Sequence, residues 1–98
     1  MTPWTIATRA VELEGILPGD VVLLDLNATP KPGDIVCAQV YDWKRMRAET
    51  VIRLFDRAPP VDLLIPRSLD PAFRSTLVVD GERVILKGVM LPHRLRPQ

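Results

Sequence analysis

Leu17-Pro18-Gly19-Asp20-Val21-Val22-Leu23-Leu24 and its echo Lys31-Pro32-Gly33-Asp34-Ile35-Val36-Cys37-Ala38 share one order: a Pro-Gly-Asp turn, then an apolar run. The second begins fourteen residues after the first. Proline presets φ for the first corner of a tight turn, glycine accepts a positive φ at the next, and aspartate accepts hydrogen bonds from nearby amides. Two strands therefore start from matching turns. The chain also holds ten prolines in 98 residues. Because proline breaks helix interiors and central strands, the elements must be short and joined by frequent corners, which points to a mainly β domain.

Working outward, residues 21–26 are almost continuously apolar, as in a strand covered on both faces, and residues 35–41 form the next strand. Upstream, residues 4–8 read as a short strand or an extended lead-in, and residues 9–17 hold about one helical turn closed by Gly15. Downstream, the β-branched run 49–55 makes a hairpin with 35–41 around a long basic tip, residues 42–48. Pro59-Pro60 ends that strand, 61–65 is another, and Asp70-Pro71 suits the start of a helical turn. Residues 76–79 and 83–87 flank Asp80-Gly81, a hairpin-turn dipeptide, and Gly88 bends the chain into a last strand, 89–91. Residues 92–98 read as a tail on a single domain spanning 1–98. Some seven short strands with at most one or two helical turns imply a small, coiled or barrel-like sheet.

Composition narrows the function classes. Hydrophobic residues at 47% and charged residues at 26% suit a folded chain. A net charge of +1 gives no global field to attract nucleic acid. The lone cysteine, Cys37, has no partner for an intramolecular disulfide and sits in an apolar run, which fits a buried packing role in a reducing cytoplasm; the one histidine, His93, is far along the chain among arginines. No apolar run approaches the ~20 residues of a membrane helix, and no secretory leader opens the chain. These features imply a cytoplasmic protein without a membrane partner. No motif calls for a cofactor or a metal. Lys44, Arg45 and Arg47 beside Trp43 form a local cationic patch, read either as a solvated hairpin tip or as a phosphate- and base-contacting surface.

The run from Gly15 to Val22, then Pro32 to Ala38, Thr50-Val51-Ile52-Arg53-Leu54, and Ile85-Leu86-Lys87-Gly88-Val89 resembles the C-terminal domain of LexA and lambda-type phage repressors, a group that includes the UmuD-like mutagenesis proteins. The resemblance spans roughly residues 4–91. It implies a β-clip-type fold that dimerises and, in active members, cuts its own linker with a serine whose proton passes to a neutral lysine. That chemistry needs a hydroxyl nucleophile and a desolvated amine. The family's serine stands nine residues before the glycine of the first Gly-Asp turn, which is Ala10 here, and its lysine precedes the Arg-Leu of the later strand, which is Ile52. Neither residue transfers a proton. A displaced dyad would need Thr8 or Ser68 as nucleophile and Lys44 or Lys87 as base.

With catalysis gone, the resemblance implies a pseudoprotease that keeps self-association: the dimerisation domain of a helix-turn-helix repressor, pairing DNA-reading heads that lie outside these 98 residues. Multivalency then raises operator affinity without new base contacts. The alternatives are a standalone modulator that pairs with a repressor or antirepressor protein, and an autoprotease with a displaced dyad. Trp4 and Leu91 are candidate dimer contacts, and Ala10 and Ile52 are candidate lining residues of the former cleavage groove, open to a peptide or small molecule.

Overall fold

The computed structural model describes residues 1–95, with side chains through Leu91. Its strands are β1 (Thr2–Thr5), β2 (Val21–Asp25), β3 (Ile35–Asp42), β4 (Arg47–Ala58), β5 (Val61–Ile65), β6 (Leu77–Val79) and β7 (Val84–Leu95), with one 3-10 turn at Glu12–Glu14. The protein is mainly β, a single antiparallel seven-stranded sheet in the order β1-β2-β7-β3-β4-β5-β6.

The two Pro-Gly-Asp turns are built alike down to their hydrogen bonds. Gly19 and Gly33 both have φ +94°, the value a glycine takes after proline in a type II turn. Asp20 N–H donates to the Leu17 carbonyl and Asp34 N–H to that of Lys31, each at 3.0 Å. The carboxylates reach back, Asp20 accepting from Leu17 N–H at 3.0 Å and Asp34 from Lys31 N–H at 2.8 Å. Each turn then docks reciprocally on another segment. Gly19 N–H donates to Ile6 O and Ile6 N–H to Asp20 O, while Gly33 N–H donates to Phe55 O and Phe55 N–H to Asp34 O. The sequence echo is thus a repeated structural unit.

β2 and β3 start from matching turns yet do not pair with each other, because the last strand slots between them. β7 pairs with β3 over its first half (Val40↔Val84 to Val36↔Val89) and with β2 over its second (Asp25↔Val89 to Val21↔Leu95). The register shifts between Cys37 and Ala38 on one side and between Val22 and Leu24 on the other, as at β-bulges, which bend and twist a sheet.

Alternation on β3 then feeds two cores. Ile35 and Cys37 face the first, with Ile6, Val11, Ile16, Val22, Leu24 and Ile52; the segment from Ile6 to Ile16 covers it. Val36 and Ala38 face the second, with Val51, Phe55, Leu64, Val84 and Val89, and the sheet curls so that Leu77 and Val79 of β6 close it. Both sets of residues are buried, so the apolar run that opens β3 reports a strand sandwiched on two sides. β2, expected to be covered on both faces, instead buries Val22 and Leu24 and leaves Val21, Leu23 and Asp25 half-buried.

Several local expectations change. β1 covers Thr2–Thr5 rather than 4–8. Asp80-Gly81 does not close a hairpin: β6 pairs with β5 and β7 with β2 and β3. The Asp80 carboxylate accepts from the amides of Glu82, Arg83 and Val84 at 2.9, 2.8 and 3.0 Å, turning the chain away from β6 toward the sheet centre. Gly88 sits in β7 opposite Cys37, and a Cβ there would meet Leu26 Cδ2 at 2.9 Å and the Asp25 carbonyl at 3.3 Å, so glycine serves close approach to β2. The tail expected from residue 92 instead continues β7 to Leu95, while residues 96–98 lie outside the described residues. Asp70-Pro71, by contrast, makes the turn expected there, with Phe73 N–H on Asp70 O at 3.0 Å.

Candidate functional site

Ala10 and Ile52 come to rest inside the protein. Ala10 has no exposed surface; its N–H donates to Thr8 Oγ1 at 3.1 Å, and its carbonyl accepts from Arg67 N–H at 2.6 Å. Ile52 is 3% exposed in the first core with Val11 and Ile16. Neither borders the recesses at the hairpin tip or beside Lys87, and both are buried where a groove lined by the two was expected; around Ile52 the segment over the first core fills the space with Ile6, Val11 and Ile16. Arg67 stitches this cover down, its carbonyl accepting from Leu13 N–H at 3.0 Å and its Nε lying 3.0 Å from Glu14 Oε1.

The four groups of a displaced dyad are scattered. Thr8 Oγ1 accepts from Ala10 N–H and Ser68 Oγ from Asp70 N–H at 3.0 Å, each hydroxyl serving its local turn. Lys44 lines a recess at the hairpin tip, and Lys87 lines another near β1. Neither recess includes Thr8 or Ser68.

The Lys87 recess, about 300 Å³, is walled by Thr2, Trp4, Leu24, Leu26, Cys37, Gln39, Thr50 and Lys87. Trp4 pairs with Val22 across β1 and β2, so it stands on the face of the first core, at the margin the covering segment leaves open. Trp4 is 37% and Leu26 54% exposed. Burial pushes the Cys37 thiol up, and Lys87 only partly offsets this. A thiol so placed is a poor nucleophile. The side chain of His93 lies outside the described residues. Leu91 is half-buried on β7.

Arg53 stands next to Ile52 but shares the face of Val51 and Phe55. Its guanidinium spans two environments, Nη1 donating to the Ile52 carbonyl at 2.8 Å and the plane lying 5.5 Å from the Phe73 ring centre. Nε is buried without a partner. Desolvation lowers its pKa and Glu49 acts in the opposite sense. Its placement is structural: it holds the segment after β5 over the second core.

The basic hairpin tip is shorter and more ordered than its composition implies. β3 runs to Asp42 and β4 begins at Arg47, leaving residues 43–46 as the loop, with Met46 at φ +51°. The Trp43 ring stacks on Tyr41 with centroids 4.8 Å apart and planes 5° from parallel, and its Nε1–H donates to the Glu82 carbonyl at 3.3 Å. The three cations expected beside Trp43 divide. Lys44 lines a recess of about 280 Å³ with Tyr41, Asp42, Trp43 and Arg83, whereas Arg45 and Arg47 border a different one with Val40, Ala48 and Glu49. Arg45 also pairs with Asp42 at 3.8 Å. Arg83 joins from the segment before β7, because Tyr41 N–H donates to the Arg83 carbonyl at 2.7 Å and so extends the β3–β7 ladder by one bond. No spacing in the sequence signals that approach.

Among the described residues no group of three or more His, Cys, Asp or Glu could hold a metal ion, and no helix is long and apolar enough to cross a membrane. Comparison with models of protein families and with curated proteins finds no match.

Proposed function

We propose that this chain is a non-catalytic, self-associating regulatory domain of a helix-turn-helix repressor, with DNA read through a domain outside these residues and the work done in the cytoplasm. The observation that carries the reading is the burial of Ala10 and Ile52 at the two positions where the repressor-like pattern calls for a nucleophile and a base. A serine–lysine pair needs a hydroxyl and an amine within hydrogen-bond reach of each other and open to a peptide. Here both positions carry buried aliphatic side chains, Ala10 within the covering segment and Ile52 beneath it.

Self-association is assigned to the β1 margin. Trp4 and Leu26 present apolar surface at an edge strand next to a recess, and edge strands in small sheets need cover. A twofold contact there would use the same patch on both copies. Sedimentation velocity across micromolar concentrations is expected to show a monomer–dimer equilibrium. Trp4→Glu should weaken it by about thirtyfold or more, as for the loss of a central aromatic anchor worth about 2 kcal/mol. Val78→Glu, which alters an exposed apolar residue on β6 at the opposite edge of the sheet, should leave it unchanged. A wild-type chain that stays monomeric throughout would remove the association claim.

A further inference from the structure

We infer that the β3–β4 hairpin tip is a binding site for one nucleotide unit, a base stacked on Trp43 with its phosphate held between Lys44 and Arg83. This goes beyond the proposed function and uses none of the residues on the β1 margin. Trp43 is 57% exposed although one face lies on Tyr41, so the opposite face of the indole is open. An exposed aromatic on a loop would ordinarily be mobile. This one is held from below by the parallel Tyr41 ring and at its edge by the Nε1–H bond to Glu82 O. A platform already fixed loses little conformational entropy when a flat ligand lands on it.

The charges beside the platform select an anion. Lys44 and Arg83, both exposed, line the same recess and make none of the ion pairs found among the described residues. The carboxylate in the recess, Asp42, faces Arg45 and accepts its N–H at 3.3 Å. Asp80, nearby in sequence to Arg83, is turned onto three backbone amides. Glu82 contributes its carbonyl to the indole, and its side chain is the remaining anion on that segment. A recess of about 280 Å³ lined by both stacked aromatics and by two cations outside the ion pairs of the described residues has room for a phosphate next to a base on the indole. Stacking on an aromatic requires an unpaired base, so a single strand or a free nucleotide fits and a duplex does not. Packing of Trp43 on Tyr41 explains why the hairpin is rigid. It does not explain why, among the described residues, neither cation forms an ion pair.

The test is fluorescence anisotropy at low salt with a short labelled oligodeoxyadenylate, with AMP and the corresponding duplex as competitors. Binding is expected for the single strand, with the duplex a poor competitor; displacement by AMP at like concentration assigns the site to free nucleotides, and failure of AMP assigns it to a strand. Trp43→Ala should weaken binding about tenfold, and Trp43→Tyr should restore part of it. The Lys44→Ala, Arg83→Ala double variant, changed only on the surface and without effect on the fold by circular dichroism, should flatten the salt dependence by about 0.7 in log–log slope, the share of one phosphate. Absence of binding by both oligonucleotide and AMP overturns the inference. So does binding unchanged in the Lys44→Ala, Arg83→Ala double variant, or a duplex that competes as well as the single strand.

Discussion

Gly19 and Gly33 occupy equivalent places in two copies of one turn, at the same φ, and neither has an atom within 4 Å of where a Cβ would stand. Alanine at either position therefore meets backbone strain and no clash. Each substitution should cost about 1–2 kcal/mol, equally within error, by chemical denaturation. Gly88→Ala differs in kind: its φ is not in the left-handed region, but the new methyl would press on the Asp25 carbonyl and on the end of the exposed Leu26 side chain. The cost arises from overpacking, which a turn of Leu26 and a shift of a few tenths of an ångström between β7 and β2 relieve. Asp80 makes a pH-dependent contribution. The amides of Val84, Glu82 and Arg83 hold its carboxylate below the usual range. A depressed folded pKa means that the unfolded chain takes up the proton first, so this stabilisation is present above about pH 4 and disappears as pH falls through the folded value. The difference in melting temperature between wild type and Asp80→Ala should accordingly be present at neutral pH and shrink in acid.

The strands differ in how completely they are enclosed. The first half of β3 and the middle of β4 are buried on both faces, whereas every residue of β1 is exposed and β1 has a neighbour on one side only. Local opening follows such differences. Hydrogen exchange should therefore find the slowest amides at Val36–Ala38 and Val51–Ile52, with β1 near the fast limit. Uniform protection across the sheet would contradict this ordering. In the second core Phe55 has no exposed surface, and Phe55→Ala should cost about 3–5 kcal/mol, measured by urea titration. The same elements show where sequence reasoning failed. Asp80-Gly81 carries a hairpin signature, yet the aspartate binds three amides ahead of it and redirects the chain, a choice that depends on β7 having a place between β2 and β3. β7 itself read as two pieces and a tail, because Gly88 and Pro92 look like breakers. A bulged strand with a different partner along each half tolerates both.

For the molecule as a whole, two cores on opposite faces of one coiled sheet leave a few openings at the margins, and those margins are where a partner or ligand can act. A charge placed in the interior tests that division. Ile52→Lys puts an amine in the first core with no acid beside it among the residues of that cluster, and should cost about 3 kcal/mol or more in stability. A variant that folds as well as wild type would show that the covering segment from Ile6 to Ile16 is looser than its burial implies. Strand identity, the matched turns, the helical turn closed by Gly15 and the β class were legible in residue order, since each depends on local φ preferences and on which residues avoid water. The aliphatic character of positions 10 and 52 was legible too, whereas their enclosure was not. Nor were the insertion of β7 between β2 and β3 and the meeting of Arg83 with Trp43. These are set by long-range pairing and packing, in which residues some forty apart come together through a ladder whose register no local signal records.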